Sequence, residues 1–163
     1  MSTIDWTSFT CKIPVKARMK DLYDAWTSAA AIEKWFVRKA VYKGADKKAL
    51  GRTGTITKGC TYTWEWYGYD GMEEGSITKA NGKDHLQFTF ANSMVDVRLR
   101  KHGRTAIVEL TQSGIPTDAA SKKNIRMGCH VGWTFWMANL KSMYEGGLNL
   151  RNTDESLKGL INN

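Results

Sequence analysis

Apolar and polar side chains alternate along residues 6–13, which is the pattern of a strand with one buried face. The odd-numbered positions of this stretch, from Thr7 to Ile13, share the face that we expect to be buried. Pro14 is expected to end the strand, because proline has no backbone N–H to donate. The spacing then becomes helical in KARMKDLYDAWT (16–27), and a second short helix is predicted in AAAIEKWF (29–36).

Six further segments have the composition of strands and are separated by Gly, Asn or Asp turns. They are residues 53–58, 61–67, 72–80, 85–91, 94–101 and 104–112. Because no helical pattern interrupts them, they predict an antiparallel meander. Three of these strands each place apolar side chains on one face, so the sheet presents a continuous and largely aromatic surface. These side chains are Tyr62, Trp64 and Trp66, then Leu86, Phe88 and Phe90, and finally Val95, Val97 and Leu99.

One long helix is predicted from about Ala119 to Glu145, since this stretch has no proline and is followed by two glycines. Its apolar positions spread over more than one stripe, which is typical of a helix buried along much of its girth. Gly128 and Gly132 lie one turn apart and predict the close approach of a neighbouring element. The predicted class is α+β: a curved antiparallel sheet of about seven strands wrapped around a long C-terminal helix, with two short helices after strand one.

The composition does not change along the chain, which indicates one domain over residues 1–147 and a polar tail over 148–163. The N-terminus lacks a signal-peptide pattern and no window is apolar enough for a membrane span, so we expect a cytoplasmic protein. The three cysteines are odd in number and lack metal-site spacing, which predicts reduced thiols with no disulfide and no bound metal. No motif indicates a cofactor.

The formal net charge of +8 raises the question of nucleic-acid binding. The basic residues are only modestly clustered, in the segment 38–52 and beside a predicted hairpin turn at 102–103. No recognition-helix, zinc-finger or RNP-type motif accompanies them. Nucleic acid is therefore not an expected partner, and we interpret most of this charge as solvated surface.

Where a strongly curved sheet wraps one helix, the two surfaces diverge toward one end and leave a gap suited to a ligand. The chain has seven tryptophans, and aromatic side chains on both surfaces predict an apolar wall for that gap. The same side chains would also build a solid core, and both interpretations stay open at this point. The candidate ligand-binding residues are Trp35, Phe36, Trp64, Trp66, Phe88, Phe90, Val97, His130, Trp133, Met137 and Leu140.

His130 lies on the same helical stripe as Trp133, Met137 and Leu140, which would make it a polar anchor in the gap. A catalytic histidine needs an orienting acid, and the acids on the predicted strands face away from the apolar side by alternation. No acid–base pair emerges, so no residue is assigned as catalytic. Three further carboxylates could reach the mouth of a pocket, but carboxylates on surface helices and turns are usually solvated, and we interpret them so. These are Glu33, Glu73 and Glu74.

Four segments carry a resemblance to a known family through their order and spacing. They are LYDAWTSAAAIEKWF (22–36), GCTYTWEW (59–66), GSITKANGKDHLQFTF (75–90) and GWTFWMANLKSMYEGG (132–147). Together they resemble the START-like (SRPBCC) helix-grip superfamily, in the branch related to the C-terminal domain of the activator of Hsp90 ATPase. The resemblance implies a seven-stranded antiparallel sheet that grips the C-terminal helix around a hydrophobic tunnel. Its members carry lipids or plant hormones, cyclise polyketides or, for the eukaryotic activator, stimulate a chaperone.

Binding or carriage of a small hydrophobic ligand, lipid-like or aromatic, is the favoured hypothesis for this chain. A first alternative is an enzyme of the cyclase or hydrolase type that uses the same cavity, with His130 or a buried carboxylate as general acid or base. A second is a co-chaperone-like protein whose basic segment 38–52 meets an acidic partner surface. A chaperone or other protein is thus a second class of partner, and a homodimer is left open.

Overall fold

Seven antiparallel strands form one curved sheet in the computed structural model, which describes residues 3–163. The strands are β1 (Ser8–Val15), β2 (Lys39–Lys43), β3 (Thr61–Glu65), β4 (Met72–Ala80), β5 (His85–Phe90), β6 (Ser93–His102) and β7 (Thr105–Ser113). The helices are α1 (Met19–Thr27), α2 (Ala29–Ile32), α3 (Ala119–Ser121), a π-helical segment (Lys122–Met127) and α4 (Gly128–Tyr144). The strand order is β1-β7-β6-β5-β4-β3-β2, which confirms the predicted α+β helix-grip arrangement.

The seventh strand is not where the sequence pattern placed it. Residues 53–58 lie in a loop, and the strand is instead β2, inside the basic segment 38–52. The apolar residue of the loop still has a structural role: Ile56 is buried, and its N–H donates to the carbonyl of Thr27 at 3.1 Å. Alternate residues of β2 are buried between exposed lysines, so the correct signal was a short half-buried strand within a charged stretch.

Pro14 lies inside β1, so the prediction that it ends the strand is wrong. It stands opposite Ile107 of β7. Because β1 is at the edge of the sheet, one side of the strand needs no ladder partner, and a proline is tolerated there. The predicted inward face is confirmed at Phe9, and it continues to Val15, which is fully buried.

The core lies between the concave face of the sheet and the helices. Alternate residues of the three central strands are buried, as the period of two requires. They include Leu86, Phe88, Val95, Val97, Leu99, Val108 and Leu110. Burial of each such side chain contributes about 1.5–3 kcal/mol to folding. None of the helices within residues 3–163 is long and apolar enough to cross a membrane.

The single long helix predicted from Ala119 is divided in the structure into α3, the π-helical segment and α4. Asp118 caps α3 by accepting from the N–H of Ser121 at 2.9 Å, and the π-helical segment separates α3 from α4. Wider π turns shift the phase of the side chains that follow. A Cβ added at Gly132 would meet no atom within 4 Å, so the predicted close approach of a neighbour is wrong there. The helix borders open space at this glycine.

The tail folds back across the end of α4. Asn139 of α4 is fully buried, donates to the carbonyl of Trp35 at 2.6 Å and accepts from the N–H of Leu150 at 2.8 Å. The Arg151 guanidinium donates to two carbonyls of the turn after α2, those of Lys34 and Val37. The apolar side chains of the tail are largely exposed, with Leu157, Leu160 and Ile161 at 48%, 45% and 88%. Polar contacts therefore hold the tail.

Candidate ligand cavity

A cavity of about 490 Å³, here called the mouth cavity, opens where the sheet, α4 and the tail diverge. Its volume lies within the range of about 300–1,000 Å³ that is typical of small-molecule sites. Its lining residues are Phe36, Trp66, Gly68, Tyr69, Met72, Glu73, Phe90, Ala91, Asn124, Gly128, Cys129, Gly132, Trp133, Trp136, Gly159, Leu160 and Asn163. Six of these are aromatic, and the cavity is open to solvent at Tyr69 and Met72, which are 62% and 60% exposed.

Phe36 is the centre of the aromatic wall. It lies in the turn after α2 and stacks on Trp133 of α4, with 5.0 Å between ring centroids. Trp66 and Trp136 meet the same ring edge-on at 5.4 and 5.3 Å, and Phe90 at the end of β5 packs on Trp133 at 5.2 Å. Edge-to-face and offset contacts at these distances are mutually stabilising. The wall is therefore held in place by contacts among its own rings.

Four of the eleven predicted site residues line the mouth cavity: Phe36, Trp66, Phe90 and Trp133. Six others lie in the solid core and do not line the cavity. These six are Trp35, Trp64, Phe88, Val97, Met137 and Leu140. The two interpretations of the aromatic face thus each hold for part of it, because the sheet and helix are in contact along most of their length and separate only at one end.

His130 lies apart from the cavity, on the side of α4 that faces β1. Its ring stacks on Phe9 with 4.7 Å between centroids, and its Nδ1 is 3.3 Å from the guanidinium of Arg126. Burial, with the nearby charge of Arg126, lowers the pKa of His130. No carboxylate of residues 3–163 hydrogen-bonds this imidazole. The arrangement lacks the orienting acid of a general base.

Glu73 is a lining residue that sequence reasoning placed in solvent. It pairs with Trp64 in the β3–β4 ladder, so its side chain lies on the concave face with Trp64. The carboxylate is half-buried and accepts from the N–H of Ala91 at 2.7 Å. The interpretation of Glu73 as a group at the outer surface is wrong, since it lines the mouth cavity. Counting back by twos from the buried Ile77 would have placed it on the inner face.

The indole N–H groups of the wall and core do not all require a ligand. Trp133 donates to Gln112 at 2.9 Å, and Trp35 donates to the carbonyl of Ala25 at 2.9 Å. Within the described chain, the buried Nε1 atoms of Trp26 and Trp64 lack a hydrogen-bond partner. Both lie in the core and neither lines the cavity. The protein itself therefore satisfies the indole of Trp133 in the wall.

Cys129 is the thiol of the cavity wall. Burial raises its pKa, which keeps the sulfur protonated and weakly nucleophilic. No histidine is among the seventeen lining residues, so no thiol–imidazole pair forms in this wall. The chemistry that the cavity offers is apolar and aromatic contact together with a few polar groups, chiefly Glu73, Asn124 and Asn163.

The remaining lining residues were missed for different reasons. Trp136 follows Trp133 by three positions, and Asn124, Gly128 and Gly132 are spaced by four, so helical periodicity carries a signal for both groups. The tail positions, Gly159 among them, carry no such signal. They reach the cavity only because the chain reverses after α4.

Solved structures share this fold at low sequence identity. SSP2350 from Staphylococcus saprophyticus is 13% identical with a TM-score of 0.68, and the match covers 94% of this chain and 98% of that one. The Aha1 dimer from Colwellia psychrerythraea is 17% identical with a TM-score of 0.67, over 86% and 97% of the two chains. CalU16 from Micromonospora echinospora is 17% identical with a TM-score of 0.60, over 82% and 73%. These likenesses show the fold.

A family assignment comes from the sequence itself. No curated protein matches the chain. Residues 16–145, however, match the family described as Activator of Hsp90 ATPase homolog 1-like protein. The matched region begins directly after β1 and includes every later strand and α4. The chain therefore belongs to the Activator of Hsp90 ATPase homolog 1-like family.

Proposed function

We propose that this protein binds a small hydrophobic molecule in the mouth cavity. The observation that carries the proposal is a space of about 490 Å³ with six aromatic residues in its lining. Concave apolar sites of this kind bury most of the surface of a small ligand. Proteins of this fold generally bind hydrophobic ligands, which supports the same proposal.

The exposed rim supports binding at this end of the molecule. Tyr69, Met72 and Leu160 line the cavity and are 62%, 60% and 45% exposed. Apolar side chains that cluster in the open at the edge of a concave site gain free energy when a ligand covers them. A ligand seated against Trp66 and Phe90, the partly buried rings of the wall, would extend outward to this rim.

Filling the cavity from α4 tests the proposal. In Gly132→Phe the new side chain enters open space, because an added Cβ there meets no atom within 4 Å. Val131→Phe is the matched control, since Val131 is 69% exposed on the same helix and does not line the cavity. Binding is measured by fluorescence titration with the neutral dye Nile red.

We expect the wild-type protein and Val131→Phe to bind Nile red alike, and Gly132→Phe to bind it at least about tenfold more weakly, a loss of about 1.4 kcal/mol. Native mass spectrometry of freshly purified wild-type protein gives an independent reading through any retained small molecule. Equal binding by Gly132→Phe and the wild type would contradict the location of the site. Absence of any binding by the wild type would contradict the function.

The two alternative functions have less support. No histidine is among the residues that line the cavity, and burial raises the pKa of its thiol, Cys129. In the segment 38–52, Arg38 and Lys39 pair with Glu65 and Arg52 pairs with Glu33, so part of its charge is neutralised within the chain. Activity as an enzyme and contact with a chaperone both stay predictions.

A further inference from the structure

We propose that the ligand of the mouth cavity carries a positively charged amine or quaternary ammonium group that meets the carboxylate of Glu73. The inference rests on the proposed function and specifies its ligand class. Among the seventeen lining residues, Glu73 alone is charged. Six of the others are aromatic. An acid within an aromatic enclosure is the arrangement that selects organic cations.

The backbone fixes the position of this carboxylate. Glu73 stands opposite Trp64 on the concave face, and one carboxylate oxygen accepts from the N–H of Ala91 at 2.7 Å. Ala91 and Asn92 have φ values of 47° and 54° and form the tight turn between β5 and β6. Phe90, which precedes this turn, lines the same cavity. The second oxygen of Glu73 is free to accept from a ligand at the aromatic wall.

Within residues 3–163, the charge of Glu73 has no cationic partner, since no lysine, arginine or histidine forms an ion pair with it. In the open cavity, water can solvate the carboxylate. A ligand that fills the cavity removes that water, and desolvation of an unpaired carboxylate is costly. A ligand with its own positive charge offsets this cost, whereas a neutral or anionic ligand does not.

The aromatic side chains also favour the binding of a positively charged ligand. Trp66 and Trp136 line the cavity, and an indole face attracts a cation more strongly than a phenyl or phenol face. The attraction is larger in a desolvated site than at the surface. Carboxylate and rings therefore act on the same ligand group, while the rest of the wall binds its apolar portion.

The net charge of +8 acts in the opposite direction at long range. Its effect on a bound ligand is limited, because exposed charges beyond about 8–10 Å are largely screened at physiological ionic strength. None of the basic residues lines the cavity. The local field of Glu73 is therefore expected to decide which ligand charge is preferred.

Three ligands with one alkyl chain test the inference: decyltrimethylammonium, 1-decanol and decanoate. Their binding below micellar concentrations is followed by quenching of intrinsic tryptophan fluorescence. Glu73→Gln removes the charge and keeps an oxygen to accept from Ala91. Glu74→Gln is the matched control, because Glu74 is the next residue of β4, is exposed and lies on the opposite face.

We expect wild-type protein and Glu74→Gln to bind decyltrimethylammonium about tenfold more tightly than 1-decanol, and decanoate most weakly. Glu73→Gln is expected to lose the preference, because it no longer attracts the ammonium group and because 1-decanol no longer desolvates a carboxylate. Equal binding of the three ligands by the wild type would overturn the inference and leave the cavity intact as a hydrophobic site. The same conclusion follows if Glu73→Gln retains the preference or weakens all three ligands equally.

Failure of the proposed function gives a different result, since the wild-type protein would then bind none of the three ligands. The comparison of ligands on the wild-type protein needs no variant. It therefore tests the inference even if Glu73→Gln folds poorly.

Discussion

His130 shows how the surroundings of a single side chain decide its role. The ring is held between Phe9 and Arg126, outside the wall of the mouth cavity. A neutral imidazole packs favourably there, whereas a protonated one would be partly desolvated and would face the positive charge of Arg126. The residue therefore belongs to the contact between α4 and β1.

This environment predicts a pH dependence. Burial and Arg126 lower the pKa of His130 from its ordinary value of 6.5. As the pH falls through about 6.5, the unfolded chain binds a proton before the folded chain does, so this residue makes the protein less stable toward acid. NMR titration of the ring is expected to give a midpoint below 6.5. Arg126→Gln is expected to raise the midpoint, and a wild-type midpoint at or above 6.5 would refute this account.

At the scale of elements, two glycines, one in α4 and one in β4, have opposite surroundings. A Cβ at Gly132 of α4 meets no atom within 4 Å, whereas a Cβ at Gly75 of β4 lies 2.5 Å from the ring of Tyr62 and 2.6 Å from the carbonyl oxygen of Thr89. Glycine in a helix interior costs about 0.5–1 kcal/mol relative to alanine. The glycine of α4 is thus a cost to the helix that leaves room in the cavity.

Alanine substitutions at the two glycines are therefore expected to have opposite effects on stability. Gly132→Ala should raise the free energy of unfolding by about 0.5–1 kcal/mol, and Gly75→Ala should lower it by about 1–3 kcal/mol through overpacking. Urea denaturation measures both. Lower stability of Gly132→Ala would contradict the open space at this position of α4.

Periodicity predicted most elements and only part of the cavity. Alternation along residues 61–67 and along β5 indicated Trp66 and Phe90, and helical spacing indicated Trp133, because each of these side chains belongs to an apolar face. The same signals cannot show where along that face the sheet and helix separate. Trp64 and Trp66 were therefore both predicted to line the cavity, but only Trp66 of these two lines it and Trp64 lies in the core. Glu73 was not among the predicted lining residues, because a charged side chain usually indicates exposure to solvent, whereas the alternation of β4 places it on the inner face.

In the whole molecule, the sheet and α4 pack together along most of their length and separate at one end. From β1 to α4 the sheet and helix enclose a solid aromatic core, and the mouth cavity lies where they part. Residues 148–163 cross this end and contribute Gly159, Leu160 and Asn163 to the lining. No periodic pattern marks this contribution, because it depends on polar contacts between residues far apart in sequence. We therefore treat the tail as part of the binding unit.

Substitution of Arg151 tests whether the tail is part of the binding unit. The Arg151 guanidinium donates to the carbonyls of Lys34 and Val37 at 2.8 and 2.9 Å, and burial lowers its pKa. Arg151→Met keeps most of the apolar stem and leaves both carbonyls without this donor. We expect the free energy that stabilises the tail in its folded-back position to fall by about 1–2 kcal/mol.

Hydrogen exchange gives the first measurement, since the Leu150 amide that donates to Asn139 should exchange faster in Arg151→Met. Nile red affinity should fall with it, because the tail side of the cavity is then less well ordered. Lys158→Met is the control. Lys158 lies in the same tail and pairs with Asp70, whose side chain is 92% exposed, and exposed pairs of this kind contribute little to stability. Unchanged exchange and affinity in Arg151→Met would mean that the cavity binds its ligand without the tail.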